Sequence, residues 1–265
     1  MKTPPNKITL NLAADADVLV KAFIAPIEYT VGGFHKEWDA LANLRVAEPE
    51  KQHRTSVFQS FLPDEPVSMG NCWQIEEASV MTLLRQLHPN PKLIKTDIDT
   101  DDPRGLWGCL RAYNDKFADI AFRIHAAFNF EDGMLTPSQF KGNLIIDRRE
   151  NKIAFFKMYV PEGTVNLDII WKKDKDQPYI GSIGSADAGL CTQMELRSGI
   201  EDVVRNTDFT EVITPEEAER ALILRFYEAA QINWVPPEKA IELAEEQEKL
   251  IHVISIDGPL HDESC

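Results

Sequence analysis

Hydrophobic and polar positions alternate most regularly between Asp119 and Phe130. Ile120, Phe122, Ile124, Ala126, Phe128 and Phe130 fall on one side, and Ala121, Arg123, His125, Ala127 and Asn129 on the other. A period of two is that of a β-strand, here with one greasy face and an opposite face carrying a cation and an imidazole. Asn143 to Asp147 and Ile153 to Val160 flank the charged turn Arg148–Lys152 and predict a hairpin. Val165 to Trp171 follows Pro161-Glu-Gly163 as a further strand, and Ile8–Leu12 and Val18–Ile24 are shorter candidates. Consecutive strands joined by short turns imply an antiparallel sheet.

The period changes in three places. From Ile75 to His88, Val80, Leu83, Leu84 and Leu87 recur at helical spacing, with Glu76 and Glu77 at the start and Pro89 at the end. Thr214-Pro-Glu-Glu217 places a capping threonine, a proline at the first helical position and a reciprocal glutamate. A helix to about Ala230 follows, burying Ala218, Ala221, Leu222 and Phe226. Pro236-Pro-Glu238 opens another through Glu248, with Ala240, Ile241 and Ala244 as its apolar stripe. Leu250–Ile256 then reads as a strand, stopped by Gly258-Pro259, after which a polar loop leads to Cys265.

Helix, apolar strand and a thiol in the following loop is the order found in the first half of a thioredoxin-like unit, where a helix N-terminus stabilises the thiolate. The expected fold class is therefore α+β. A mostly antiparallel β domain occupies residues 1–207, and an incomplete thioredoxin-like domain, cut at its redox loop, occupies residues 208–265.

Composition narrows the function. The 265 residues carry 43 acidic and 28 basic side chains, a formal charge of −15. That balance excludes a nucleic-acid binder, which needs a basic face. No uncharged apolar run is long enough to span a bilayer and the first residues lack the apolar core of a signal peptide, so the chain as written is expected to be soluble and cytoplasmic. Cys72, Cys109, Cys191 and Cys265 are widely spaced, with no CxxC pair and no histidine at zinc-finger intervals, so no metal site is expected. The first three read as small core residues or inert thiols. Asp97-Ile-Asp-Thr-Asp-Asp102 begins like a calcium-binding loop, but Asp102 stands where glycine is needed, Gly108 where a bidentate glutamate closes the site, and Pro103 intrudes. A solvated acidic loop is the expectation.

Several short motifs, in order along the chain, resemble those of the selenoprotein N family. They are Leu84-Arg-Gln-Leu-His-Pro89; Phe122-Arg-Ile-His-Ala126 with Phe128; Thr136-Pro-Ser-Gln-Phe140 with Gly142; Tyr159-Val-Pro161 leading to Asn166-Leu-Asp168 and Trp171; Gln193-Met-Glu-Leu196; and Lys249-Leu-Ile-His252 with Asp262-Glu-Ser-Cys265. The likeness covers most of the sequence and is weakest before about Phe58. Ala127 departs from it, standing where the family tends to have glutamate, so a carboxylate role there does not carry over.

The resemblance implies that selenocysteine and glycine come immediately after the block ending in Cys265, and that Cys265 and that selenocysteine are the redox pair of a thioredoxin-like domain. It implies a thiol–disulfide oxidoreductase acting on a protein thiol or disulfide, with no cofactor beyond the selenium of the selenocysteine. In this reading the selenolate attacks a disulfide and Cys265 resolves the mixed intermediate. His261 is a candidate for raising the thiolate fraction, and the bland alternative makes His252 a strand residue and His261 a loop residue. The chain as given, lacking the selenocysteine, is expected to be inactive. Animal members sit in the endoplasmic reticulum membrane and are tied to calcium homeostasis; neither their membrane anchor nor their calcium-binding motif is visible in this sequence. The rival reading is a non-enzymatic binding or regulatory protein whose sheet recognises a partner, with Cys265 incidental. Arg123 and His125 would then line a groove or bind an anion, unless a loop simply packs over them.

Overall fold

In a computed structural model of the chain, the residues described are 7–13, 16–29, 33–94, 105–137, 139–162, 167–173, 183–202, 206–226, 235–251 and 253. The elements, in chain order, are β1 (Asp17–Ile24), β2 (Ile27–Tyr29), α1 (Phe34–Glu37), β3 (Glu50–Arg54), α2 (Ser56–Gln59), β4 (Cys72–Gln74), α3 (Glu77–Leu87), β5 (Pro91–Leu93) and β6 (Leu106–Tyr113). They continue with β7 (Phe117–Ile124), β8 (Ala126–Phe130), β9 (Gly133–Pro137), β10 (Phe140–Asp147), β11 (Lys152–Tyr159) and β12 (Leu167–Lys172). Last come β13 (Ile183–Cys191), β14 (Met194–Gly199), β15 (Glu211–Val212), α4 (Pro215–Phe226) and α5 (Pro237–Gln247).

The strands form two antiparallel sheets. The larger runs β15-β6-β7-β10-β11-β14-β1-β3, with β4 also pairing with β6, and the smaller runs β2-β13-β12-β9-β8-β5. The two orders match. β7 continues into β8, β10 follows β9, β12 follows β11, β14 follows β13 and β2 follows β1, so neighbours in one sheet are continued by neighbours in the other. The chain is a meander of long strands creased across the middle and folded on itself, in the way that strands switch sheets at the corners of a sandwich.

The long alternating run is therefore two strands, not one. It breaks at His125, whose N–H donates to the Gly105 carbonyl and whose carbonyl accepts from Ile94. The facing strand supplies the extra length that a corner needs. Ile124 pairs with Phe140 and Phe128 with Leu135, leaving three residues on one side of the corner and four on the other.

The inward faces of both sheets make the main core. Leu110, Ile120, Phe122, Phe140, Leu144, Phe156 and Leu196 from the larger sheet meet Phe128, Leu135 and Ile169 from the smaller. Helix α3 packs on β1 and β14 of one sheet and β5 of the other, burying Val80, Leu83, Leu84 and Leu87. Buried Gln86 ties it down: His53 donates to its side-chain oxygen at 3.0 Å, and its amide donates to the Val20 carbonyl at 2.8 Å. Phe155 and Trp171 are also buried.

Other expectations need correction. Ile8–Leu12 is not a strand; only Ile8 forms a bridge, with Val67. Polar Glu50–Arg54, which carries no alternating apolar pattern, is strand β3, registered on β1. Across the boundary drawn after residue 207, β15 pairs with Tyr113 and Ala112 of β6, and α4 packs on β6 and β7. The capping box of α4 forms as read: Glu217 N–H donates to Thr214 Oγ1 at 3.1 Å, and Thr214 N–H to the Glu217 carboxylate at 2.8 Å. The stripe of α5 is not buried; this helix has no buried residue and Ile241 is 53% exposed. Leu250, Ile251 and Val253 are exposed and in no strand, and the remainder of that expected strand lies outside the described residues.

Candidate functional site

The outer face of the larger sheet is where chemistry collects. Outward positions on β6, β7 and β10 carry Arg111, Asp119, Arg123, Lys141 and Asn143, and α4 lies across β6 and β7. A cavity of about 90 Å³ remains between helix and sheet, lined by Arg111, Arg123, Lys141, Asn143, Tyr159 and Glu219 among others. That is space for a few water molecules, well below a drug-sized pocket.

Two charge networks meet there. Arg111 forms an ion pair with Asp119 through Nε, at 2.7 Å, and Nη2, while Asn143 donates to the other carboxylate oxygen at 2.8 Å. Burial pushes the Asp119 carboxyl above its ordinary value, against the opposing pull of Arg111 and Asn143. Arg123, almost completely buried, reaches Glu219 of α4 at 3.4 Å, and Lys141 contacts the same oxygen. Arg123 Nε also donates to His125 Nε2 at 3.0 Å, so the neutral ring carries its proton on Nδ1. Burial first, and then the Arg123 charge, hold the His125 pKa well below the usual imidazole value. The His125 ring stacks on Phe226 at 3.6 Å and 4° between planes. Arg123 and His125 do share a packed polar face, but a helix covers it rather than a loop.

Beside this groove lies a thiol pair that the sequence did not reveal. Cys72 on β4 is the direct cross-strand neighbour of Cys109 on β6. The bonds Ile75 N–H to Leu106 carbonyl and Leu110 N–H to Asn71 carbonyl put these two cysteines at a non-hydrogen-bonded position, where facing side chains approach most closely. Cys109 is fully buried with Ala218 and Leu222 of α4, and Cys72 is half-buried at the edge of that cluster. Cys72 Sγ lies 3.8 Å from the Gly70 carbonyl, and the neighbouring Cys109 thiol, with Arg225 adding its charge, brings the Cys72 pKa down to about 7 in spite of burial. The neighbouring Cys72 and burial raise that of Cys109. Arg225 lies over the Trp107 ring, 5.2 Å from its centroid. Cys191, by contrast, is buried with its thiol against the Gln193 and Ala25 carbonyls, as an inert core residue.

Cys265 and His261, the residues singled out for redox chemistry, lie outside the described residues, as do His252 and Asp97–Asp102. Among the described residues no group of three or more His, Cys, Asp or Glu side chains is placed to hold a metal ion. None of the described helices is long and apolar enough to cross a membrane.

Several of the motifs that carry the resemblance lie at the crease. Beside it Phe140 pairs with Ile124 within the larger sheet, Val160 N–H donates to the Met194 carbonyl, and Ala25 N–H donates to the Gln193 carbonyl. His88, ending α3, packs its ring on Phe128 and Phe130 at 5.4 and 4.7 Å. Gly142 has a steric reason: a Cβ there would lie 2.3 Å from the Phe122 ring.

These features define an α+β protein of creased antiparallel sheets, with a buried charge network and a dithiol under one helix. No family model matches the sequence, and no solved structure matches it. Curated proteins do. Selenoprotein N of Danio rerio is 28% identical over 245 residues, which cover 79% of this chain and 42% of that protein. Selenoprotein N of Homo sapiens is 26% identical over 85% of this chain and 47% of its own, and that of Mus musculus 27% over 85% and 50%. The chain is similar to selenoprotein N along most of its length. It spans about half the length of the curated relatives it matches.

Proposed function

We propose that the chain is part of a selenoprotein N-like thiol–disulfide oxidoreductase acting on protein thiols, with Cys265 as one member of its redox pair and a following selenocysteine as the other. The observation that carries this reading is the similarity to selenoprotein N over 79–85% of the chain, together with the terminal Asp262-Glu-Ser-Cys265 block. The chemistry is thiol–disulfide exchange. The selenolate attacks one sulfur of a substrate disulfide and releases the other as a thiolate, and Cys265 then displaces the bound sulfur to form a selenenylsulfide. Selenium is the only non-standard element required.

The test has two parts. The codon after that of Cys265 is read as UGA within a continuing frame, and the native polypeptide contains one selenium atom by elemental mass spectrometry. The selenium-containing protein then reduces a model protein disulfide, and Cys265→Ser abolishes turnover. A UAA or UAG codon at that position, or full turnover in the serine variant, removes the assignment. A second reading, a non-enzymatic binding or regulatory protein, draws on the charge cluster of Arg123, Lys141 and Glu219 beneath α4. It predicts no disulfide turnover in any form of the protein.

A further inference from the structure

We propose that Cys72 and Cys109 form a reversible dithiol–disulfide couple, a redox site in the β domain separate from Cys265. The placement of the two thiols is the foundation. They are directly opposed on neighbouring antiparallel strands, at the non-hydrogen-bonded position where Cα atoms stand roughly 4.5 Å apart. A disulfide accommodates Cα separations of about 4.4–6.8 Å, so the link needs little backbone movement.

The surroundings assign the roles. Cys72 is partly exposed and Cys109 is fully buried, so an incoming disulfide reaches Cys72 first. Arg225 supplies a positive charge beside Cys72, the setting that makes a thiolate. Cys109, kept protonated by burial, is the resolving thiol.

The co-reactant is a disulfide, of a small thiol or of a protein. The Cys72 thiolate forms a bond to one sulfur of that disulfide, whose S–S bond breaks and whose second sulfur leaves as a thiolate that takes up a proton. Cys109 then loses its proton and attacks Cys72 Sγ, breaking the mixed disulfide and releasing the first sulfur as a thiol. In total one disulfide is reduced to two thiols while Cys72 and Cys109 are oxidised by two electrons, and the reverse reaction regenerates the dithiol.

Three side chains on α4, Ala218, Leu222 and Arg225, pack around the pair. The couple therefore sits between the sheet edge and the helix that closes the charged groove.

The experiment uses the 265-residue chain equilibrated with glutathione at a series of reduced-to-oxidised ratios, quenched in acid, alkylated and digested with trypsin without reduction. Cys72 lies on peptide Thr55–Arg85, Cys109 on Gly105–Arg111 and Cys265 on Leu250–Cys265, so the three are read separately. The expected result is one linked species, Thr55–Arg85 joined to Gly105–Arg111, that rises with oxidation and vanishes on treatment with dithiothreitol. Cys109→Ser is expected to trap Cys72 as a glutathione adduct. In the same variant the pH midpoint for Cys72 alkylation moves upward, because the neighbouring thiol that lowers the Cys72 pKa is replaced. Recovery of both peptides as free thiols at every ratio, as separate glutathione adducts in the parent chain, or with Cys72 linked to Cys265 instead, overturns the proposal. Because the link is mapped in the parent chain, the outcome does not depend on whether the serine variant folds.

Discussion

Helices α4 and α5 are nearly the same length, both begin at proline, and both carry an apolar stripe, yet they end in opposite circumstances. α4 lies on the outer face of the larger sheet and buries Ala218, Leu222 and Phe226. α5 buries nothing, and Leu243 and Ala244 are only partly covered. The difference lies in what the rest of the chain offers. β15 joins the edge of β6 immediately before α4 and delivers the helix onto a face whose Cys109, Ala121 and Trp107 need cover. No comparable surface meets α5 among the described residues. An amphipathic pattern states that a helix has a side to bury, and only the tertiary partner decides whether it is buried.

The comparison can be broken from beneath α4. Arg111→Met leaves the Asp119 carboxylate buried without its counter-ion and is expected to destabilise by about 3–5 kcal/mol, read as a lowered urea midpoint. A midpoint unchanged in that variant would mean that the charged face is solvated and α4 is not seated on it. Next, Leu222→Ala should cost about 2–4 kcal/mol, while Ile241→Ala, at the exposed position on α5, should stay within about 0.5 kcal/mol. Equal losses would erase the distinction between the helices.

Acidification sharpens it further. His125 under α4, and His53 and His88 in the core, are all held below the ordinary imidazole pKa by burial. Between the unfolded value of 6.5 and their lower folded values, the unfolded chain binds more protons than the folded one. Stability present above about pH 6.5 is therefore lost as pH falls below it. Chemical denaturation followed from pH 8 to pH 5 measures the slope, and His125→Phe should flatten part of it. The smallest effect is local: Thr214→Ala removes one half of the capping box and should cost α4 about 1 kcal/mol, seen as faster amide exchange in its first turn.

Much of the sheet was legible because period-two alternation reports burial directly. The crease was not, and the reason is geometric. Ile120, Phe122 and Ile124 of β7 and Ala126, Phe128 and Phe130 of β8 keep the same phase through His125, so the hydrophobic pattern passes unbroken around the corner. The polar outer face was legible from Arg123 and His125, but its cover was not, since sequence spacing says nothing about which later element will dock there. The Cys72–Cys109 pair was hidden for a related reason. β4 is only three residues long, too short to announce itself, and the register that opposes the two thiols belongs to the folded sheet. Cys265 and His261 stand on the sequence motif alone.

The crease also bears on how the chain finds its fold. From β6 to β14 every strand pairs with one adjacent or nearly adjacent in sequence, the arrangement of short loop closures that favours early, rapid zippering. The ladder between β14 and β1 is different: it joins Phe23 to Glu195, from opposite ends of the β domain. β1 also organises β3, and with β14 it is the strand on which α3 rests. Closing that last seam is the entropically expensive event. The meander from β6 to β14 is joined by short-range pairings, and the N-terminal strand β1 closes it through the longest-range one.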